Sequence, residues 1–497
     1  MIHDILDSIS DGLDSLLQLI VGGKHNYRGR TGNARRILKR KHKKGNGLKI
    51  GDKYIALDQT LKGGMLLLGK TGAGKSSRIF LNNLLSYSEL SSISFICLDL
   101  AKELRDVAGG SLQEHLDGED IVNFSDANAS TTTWNPLQDL KPQDIHRFAS
   151  DLVASTTTQN ANTDPIWANL SASLISYIIQ LLKGLELVLD TNKFTNLYNV
   201  RFLVVQLQGE FEKMNMLIAK YADDFLYSNL KAILANDKKM LNSIFSSTLS
   251  VLNLWQDKHI IRTTSSTTLD MESYRSQKKI LWIQSSITQQ KRLMGLNSLF
   301  LKAWFTHIMD AGIPKKEENT IGFLADEMSA VRTMDKGYIP FISSQIRKFK
   351  AFGVFGFQSY SQCIELYGKE GATTLKANTG TVLYLGQQDL ETATHISKSL
   401  GRYSYEKDGK TLSREVLTPE EVMHSHTKEG GFLLCNNERP IQLKSIKPYY
   451  VDRKMKKQAE IPTPEIFANN PMPELLPIDM LIGAVAIEDS VVSKAVQ

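Results

Sequence analysis

The residues with the most specific spacing for chemistry form one glycine-rich stretch. It matches the pattern G-x-x-x-x-G-K-[ST] and consists of Gly69, Lys70, Thr71, Gly72, Ala73, Gly74, Lys75, Ser76 and Ser77. A turn of this kind wraps backbone N–H groups round a phosphate chain, with Lys75 on the β- and γ-phosphates and the Ser76 hydroxyl on Mg²⁺. The apolar run 65–68 predicts a strand before the turn. A helix starting near Gly74 would direct its positive end at the same charge. The stretch therefore predicts a nucleotide-binding site.

Two adjacent carboxylates, Asp326 and Glu327, follow a second apolar run far down the chain, at 321–325. They would lie at the carboxyl end of a strand, where ligands bind in open α/β sheets. Asp326 would hold the Mg²⁺ shell, and Glu327 would orient and polarise the attacking water. So long a separation from the phosphate loop argues against small nucleotide kinases and Ras-like switches. The two motifs together predict ATP hydrolysis with Mg²⁺.

Two further polar residues occupy positions suited to sensing and to catalysis in trans. Gln358 ends the apolar run 352–357, so its amide could sense the γ-phosphate and pass its presence to the next helix; a simple strand cap is the alternative. Arg347 is our candidate for a finger that enters a neighbouring subunit's site, a contribution of about 10³–10⁵ in rate. Arg439 is a weaker candidate. For either arginine the alternative is an ordinary surface position.

Length and composition indicate a globular chain of two or three domains. Of its 497 residues, 42% are apolar and 23% charged, and the net charge of +6 permits an anionic partner without requiring one. The three cysteines are scattered and the ten histidines show no metal spacing, so we expect neither disulfides nor a metal centre built on them. No apolar run approaches the roughly 18 residues of a membrane helix. These features predict a cytoplasmic protein.

The ends of the chain differ from its centre in composition. Residues 1–22 have the spacing of an amphipathic helix with an acidic polar face, which we expect to dock on a partner or on the protein itself. Residues 23–47 are a basic linker with three open interpretations: a solvated connection, a nucleic-acid-binding arm, or a polybasic patch for a membrane surface. Residues 451–497 form a proline-containing tail that we expect to be loosely held.

The centre of the chain predicts an α/β fold with an insertion. Residues 48–140 and 261–450 alternate apolar strands with helices, which predicts a mostly parallel, doubly wound sheet. Residues 141–260 change to helical spacing, for example at Ile166, Leu170 and Leu174, and predict an inserted all-α domain.

Taken together, these residues resemble the TraG/TraD-type coupling proteins, the DNA-pumping ATPases of conjugation and type IV secretion. The matching pieces occur in the family's order: the phosphate loop with 82–86, Asp99 and Glu103, the block 134–137, then 164–167, Asp326-Glu327, Arg347, Gln358, Gln362, 367–368, 391–401, 439–440 and 448–450. The resemblance covers about residues 50–450. The segment 99–103 reads Asp-Leu-Ala-Lys-Glu where the family usually has Asp-Pro-Lys-Gly-Glu. Many members also begin with transmembrane helices, which we do not find here.

The resemblance implies a RecA-like P-loop NTPase core, with six copies surrounding a channel and ATP at the subunit interfaces. The implied partners are single-stranded DNA, a relaxase, and a type IV secretion channel or a separate membrane anchor. The implied location is the cytoplasm, peripheral at the inner face of the bacterial cell membrane. Arg332 and Lys336 could line the channel or be plain surface residues. Two other functions stay open: a ring pump for double-stranded DNA or a helicase outside secretion, and a nucleotide-gated substrate receptor with little motor activity.

Overall fold

The computed structural model describes residues 31–43, 45–156, 165–331, 336–386, 388–407, 410–424, 429–435 and 438–483. The amphipathic helix predicted for residues 1–22 and the channel candidate Arg332 lie outside these ranges. Within them the strands are β1 (Asn46–Ile50), β2 (Lys53–Ala56), β3 (Met65–Leu68), β4 (Ile93–Leu98), β5 (Gly118–Asn123), β6 (Lys279–Gln284), β7 (Thr320–Ala325), β8 (Ala351–Phe357), β9 (Thr381–Leu385), β10 (Arg402–Lys407), β11 (Lys410–Glu415), β12 (Gly431–Cys435) and β13 (Ile441–Leu443).

The helices of the described ranges alternate with these strands and fill the long segment between β5 and β6. They are α1 (Ala34–Ile37), α2 (Leu57–Thr60), α3 (Leu81–Leu85), α4 (Glu103–Leu112), α5 (Ile145–Thr156), α6 (Pro165–Leu189), α7 (Leu197–Gly209), α8 (Phe211–Tyr221), α9 (Asp224–Leu234), α10 (Lys238–Val251), α11 (Lys258–Thr264), α12 (Ser273–Ser276), α13 (Gln290–Asp310), α14 (Tyr338–Gln345), α15 (Tyr360–Asn378), α16 (Leu390–Leu400), α17 (Pro419–His424) and α18 (Arg453–Ala459). A π-helical turn, Ser76–Phe80, leads into α3.

Nine strands form one central sheet in the order β13-β12-β9-β3-β8-β7-β4-β6-β5. From β9 to β5 neighbouring strands are parallel, whereas β12 runs antiparallel to β9 and β13 antiparallel to β12. Central strands such as β3, β4 and β7 are buried along their whole length, which explains their continuous apolar runs. The predicted α/β class with a mostly parallel, doubly wound sheet is confirmed.

Helices cover both faces of this sheet. Side chains from the π turn, α3, α4 and α18 pack with Leu67 and Leu383 on one face. Residues of α13, α14, α15 and α16 pack with Phe323 and Tyr384 on the other face, in a core that continues into the helical segment. In sheets covered on both faces in this way, ligands bind at the carboxyl ends of the parallel strands.

Strand β5 was absent from our expectations because its sequence is half polar. Its first three residues are only half-buried, as expected at the edge of a sheet, and only Ile121, Val122 and Asn123 are fully buried. The hairpin β1–β2 was also missed. Its Lys49 backbone exchanges hydrogen bonds of 2.7 and 3.0 Å with the Asn83 side chain. In β5 and in the β1–β2 hairpin, tertiary contacts determine the strands more than apolar periodicity does.

Between β5 and β6, helices α5 to α12 pack round apolar side chains that are continuous with the core on the α13–α16 face of the sheet. Among them, Trp255 is fully buried and donates its indole N–H to Thr264 at 2.9 Å. Helix α6 is the one helix in the described residues that is long and apolar enough to cross a membrane. Our expectation that no segment would meet this criterion was therefore wrong, because Ser, Asn and Gln interrupt the apolar run without lowering its mean hydropathy sufficiently. Half of that window is buried within the protein, as in a core helix.

The described part of the basic linker, residues 31–43, is attached to the body of the protein. Lys39 and Tyr54 exchange backbone hydrogen bonds of 3.1 and 2.8 Å, and Leu38 is buried in the core on one face of the sheet. Its charged side chains nevertheless point outward; Arg35, Arg36, Lys39, Arg40, Lys41 and Lys43 are exposed. This exposure leaves all three interpretations of the basic stretch open.

The tail was expected to be loosely held, and that expectation is wrong for the described residues up to 483. Thr463 Oγ1 accepts a hydrogen bond from the backbone of Gly110 at 3.0 Å, and Asn470 donates to the carbonyls of Ala127 and Ser130 at 2.7 and 2.8 Å. Farther on, the Leu476 N–H donates to Asn199 of α7 at 2.9 Å. The prolines keep the chain extended, and hydrogen bonds to its side chains and backbone replace those of regular structure.

Candidate functional site

The predicted site residues emerge from adjacent strands at one edge of the sheet. Strand β3 lies between β9 and β8, and β7 is next to β8. The loop that begins at Gly69 therefore starts beside Gln358, which follows β8, and one strand away from Asp326, which follows β7. The Gly69 N–H extends the sheet by donating to the Phe357 carbonyl at 3.1 Å.

Two glycines of the loop have backbone conformations that other residues rarely adopt. Gly72 and Gly74 have φ values of +79° and +83°, and a Cβ at Gly74 would lie 2.7 Å from Arg78 Nε. Lys75 folds back across the loop and donates to the Gly69 carbonyl at 2.9 Å. These contacts hold the loop curled with its lysine at the centre, the shape that a phosphate-binding turn requires.

The helix after the loop is fixed from the opposite side by the segment around β13. Arg78 is buried and donates to the carbonyls of Ile446 and Glu429, and Asn82 donates to the Lys447 carbonyl at 3.0 Å. The helix predicted to start near Gly74 thus exists, but its first turn, Ser76–Phe80, is π-helical.

Asp326 meets Ser76 across the strand edge. Ser76 Oγ donates to Asp326 Oδ2 at 2.5 Å, while Asp326 Oδ1 is buried and receives no hydrogen bond from the described residues. Burial raises the pKa of Asp326 above its ordinary value, although the Ser76 hydrogen bond and the charge of Lys75 act to lower it. The hydrogen bond from Ser76 and the charge of Lys75 therefore do not fully offset the cost of burying the Asp326 carboxylate. A hard divalent cation such as Mg²⁺, which favours carboxylate and hydroxyl oxygens, fits this pair.

Glu327 is held by three polar side chains. Gln358 and Gln362 each donate an amide N–H to it, to Oε2 and Oε1 respectively, both at 3.3 Å, and the Ser329 hydroxyl also donates to Oε1. Gln362 is itself positioned because its Oε1 accepts the backbone N–H of Gln358 at 2.8 Å. The carboxylate predicted to polarise the attacking water and the amide predicted to sense the γ-phosphate are thus in direct contact.

The loop 99–103, whose role the sequence left in doubt, has a structural role at this edge. Asp99 is buried and accepts the backbone N–H groups of Leu104 and Arg105 at 3.0 and 2.9 Å, which caps the first turn of α4. Burial raises the pKa of Asp99 to about 6, against the lowering effect of those hydrogen bonds. Glu103 lies near enough to raise the pKa of Asp326 slightly. The loop 99–103 therefore fixes the start of α4 and brings Glu103 near Asp326.

Arg347 and Arg439 lie at the other edge of the sheet. Arg347 precedes β8, so the seven residues of that strand, a length of about 23 Å, separate it from Gln358. Arg439 follows β12, which runs antiparallel to β9 and so ends at the same far edge. Both side chains are exposed. Neither arginine can reach the site of its own chain, and a role in a neighbouring subunit's site stays a prediction. Lys336 is also exposed, which leaves its channel role untested.

Two residues of the site received no role from the sequence. Gln362 belongs to the pattern that carries the family resemblance, but nothing local indicated that it would contact Glu327. Ser329 had no signal beyond its position two residues after Glu327, where a short side chain can pair with a helix-capping carboxylate. The contact of Gln362 depends on how α15 leaves β8 beside β7, which the sequence did not specify.

The sheet order, the glycine loop at the end of β3 and the acid pair at the end of β7 define a RecA-like P-loop NTPase core that carries an all-α insertion. Residues 24–470 match the protein family described as type IV secretory system conjugative DNA transfer. The chain belongs to that family, and the predicted resemblance to coupling proteins is confirmed.

Relatives with curated names include Protein VirD4 of Rhizobium radiobacter, 25% identical over 422 residues that make up 80% of this chain and 58% of the relative. Protein VirD4 of Agrobacterium fabrum is 23% identical over 422 residues, 80% of this chain and 60% of the relative. The chain thus spans less than two thirds of the length of these relatives.

Solved structures with the same fold include the bacterial conjugative coupling protein TrwB lacking 70 N-terminal residues, in complex with sulphate. Its TM-score is 0.64 at 18% identity, with 86% of this chain and 96% of that chain covered. The structure of TrwB in complex with ADP and Mg²⁺ has a TM-score of 0.63 at 18% identity, with 92% of this chain and 98% of that chain covered. TrwB has also been solved with a non-hydrolysable ATP analogue, with a TM-score of 0.63 at 17% identity and coverage of 91% and 98%.

Proposed function

We propose that this protein is an ATP-driven DNA translocase that acts as a coupling protein in conjugation or type IV secretion and links relaxase-bound single-stranded DNA to the secretion channel. The observation that carries the proposal is the convergence of the phosphate loop and the acid pair. Lys75, Ser76, Asp326 and Glu327 come from distant parts of the sequence to one strand edge, with Ser76 Oγ and Asp326 Oδ2 joined at 2.5 Å.

In this proposal each residue of the site has a separate role in ATP hydrolysis. The loop N–H groups and Lys75 bind the phosphates of ATP, and Ser76 with Asp326 would hold Mg²⁺, which neutralises phosphate charge when bound. Glu327 orients the attacking water. Gln358 contacts Glu327 and also begins the turn into α15, so it can relate the state of the γ-phosphate to movement of that helix. The nucleotide complexes of TrwB support ATP and Mg²⁺ as ligands of this site.

The motor function requires more than one subunit. We propose a homo-hexamer in which Arg347, exposed at the far edge of the sheet, completes the site of a neighbouring copy. DNA would pass through the ring by contacts to its phosphates, which are insensitive to base sequence. We place the protein in the cytoplasm at the inner face of the cell membrane, held by the secretion channel or a separate anchor. The exposed basic residues of 31–43 are available for either attachment or DNA.

The deciding experiment measures the ATPase rate against protein concentration, with and without single-stranded DNA. A motor that assembles on DNA should show a rate per subunit that rises with concentration, and more steeply with DNA present. Lys75→Ala is the control that should abolish turnover at every concentration, since it removes the phosphate-binding cation. Slow turnover unaffected by DNA or concentration would reject the translocase and favour a nucleotide-gated receptor.

A further inference from the structure

A cavity of about 680 Å³, lined by none of the phosphate-loop residues, lies between α15, α16 and strands β9 and β12. Its size is within the range of small-molecule sites in proteins. The polar side chains that matter for its chemistry are Lys376 from the last turns of α15, His395 from α16, and Tyr360 and Tyr384. None of these residues belongs to the nucleotide site described above.

Lys376 is at the centre of the cavity's polar wall. Its Nζ lies 2.5 Å from His395 Nε2, and 5.2 and 5.8 Å from the ring centres of Tyr360 and Tyr384. Among the described residues no carboxylate lies within ion-pair distance of this ammonium group. Glu391 and Glu438 line the same cavity but do not pair with it. A half-buried cation whose neighbours are a histidine and two aromatic rings has little negative charge to compensate it.

The surroundings disfavour positive charge on both basic groups. Burial lowers the pKa of Lys376 to about 8. Burial also lowers the pKa of His395, and the neighbouring Lys376 and Lys398 lower it further. An anion that replaced this direct contact would favour the charged states of both groups, because it supplies the missing counter-charge and accepts a hydrogen bond from each.

We propose that this cavity is a binding site for a small oxyanion, a carboxylate or phosphate group, which replaces the direct contact of Lys376 Nζ with His395 Nε2 and is bound by both nitrogens, with the remainder of its molecule against the ring of Tyr360. The Lys376 ammonium group supplies the positive charge, and the His395 N–H donates a hydrogen bond that orients the anion. The ring of Tyr360, which is only partly buried, accepts an apolar or planar portion of the ligand. The site is separate from the phosphate loop, so its occupancy does not depend on the proposed ATPase function.

The test is protection of Lys376 from reductive methylation, measured by peptide mass spectrometry on the full chain. The probes are inorganic phosphate and succinate, and sodium chloride at matched ionic strength is the control. At an anion concentration about ten times its dissociation constant, about one tenth of the site stays free, so methylation of Lys376 should slow about tenfold. Lys398 is exposed on the same helix as His395 and should react at an unchanged rate.

Protection by phosphate alone assigns a phosphate group, and protection by succinate alone assigns a carboxylate; either supports the site. No protection by either anion, or equal protection by chloride, overturns the proposal. The variant His395→Gln changes an exposed side chain and should remove most of the protection while leaving the chain folded. Full protection in that variant would contradict the two-residue site. Methylation of Lys75 is measured on a different peptide, so phosphate binding at the nucleotide loop is distinguished from binding at Lys376.

Discussion

Ser76 and Asp326 are 250 positions apart in sequence, and a hydrogen bond of 2.5 Å joins Ser76 Oγ to Asp326 Oδ2. The second carboxylate oxygen of Asp326 is buried and receives no hydrogen bond from the described residues. One oxygen thus fixes the acid against the loop while the other remains available as a ligand. This division of roles is what a metal site next to a phosphate loop requires.

Replacing Glu327 by Gln should separate ATP binding from hydrolysis. The amide keeps the size of the side chain but cannot take up charge or polarise water as a carboxylate does, so we expect hydrolysis to fall by about 10²–10⁴. Nucleotide binding should be retained, because Lys75, Ser76 and Asp326 are untouched. Single-turnover hydrolysis and equilibrium binding measure the two effects.

Glu365→Gln is the matched control for this substitution, since Glu365 is an exposed residue of α15 outside the contacts of Glu327. It should hydrolyse ATP at the normal rate. Normal turnover by Glu327→Gln would show that another group activates the water.

Gln362 is a positioning residue for Glu327, and its loss should lower turnover without unfolding the protein. In Gln362→Ala the carboxylate loses one of its donors and the backbone of Gln358 loses its acceptor. Imprecise placement of a catalytic group costs about 10²-fold or less in rate, so we expect kcat to fall within that range at constant KM.

Gln362→Glu should lower kcat further, because a second carboxylate would repel Glu327. Ser361→Ala, at the adjacent exposed position, is the control and should keep the normal kcat. Equal melting temperatures for all three variants would exclude a general loss of stability. A normal kcat for Gln362→Ala would remove it from the site.

Arg347 should act only across a subunit interface. Because about 23 Å of strand separates it from Gln358 in its own chain, Arg347→Ala should be inactive alone yet complementary to Lys75→Ala. Mixed rings contain some interfaces with an intact loop on one side and an intact arginine on the other. We therefore expect partial recovery of ATPase activity on mixing, measured across a series of ratios.

Lys348→Ala is the control for Arg347, since Lys348 is the exposed neighbouring cation. It should keep full activity and need no complementation. The absence of recovery at every ratio of Arg347→Ala to Lys75→Ala would argue against catalysis in trans by this arginine.

Asn470 should stabilise the attachment of the tail. Its side-chain amide donates to the carbonyls of Ala127 and Ser130, and Asn470→Ala leaves both without that partner. We expect the free energy of unfolding to fall by about 1–3 kcal/mol. Denaturant unfolding of the whole chain provides the measurement.

Asn469→Ala provides a matched control, because the adjacent Asn469 is exposed. Its stability should stay within about 0.5 kcal/mol of the original. If the two variants lost the same stability, the tail would contribute nothing specific through Asn470.

The sequence alone determined the chemistry of the loop and the identity of the central strands. Glycine at positions 72 and 74, followed by Lys75 and Ser76, is a local requirement of backbone conformation and phosphate charge. The strands β3 and β7 were predicted because burial on both faces demands uninterrupted apolar residues. Such requirements act within a few residues, so they can be recognised in the chain before it folds.

Only the tertiary structure decided which side chains meet. The contact of Gln362 with Glu327, the placement of Arg347 at the far edge, and the docking of Asn470 on the loop after β5 all depend on strand order and helix direction. Polar contacts of this kind leave no periodic pattern, because a hydrogen bond needs a single pair of atoms rather than a face of repeated residues. The edge strand β5 was missed for a related reason: its pairing with β6, more than its own composition, makes it a strand.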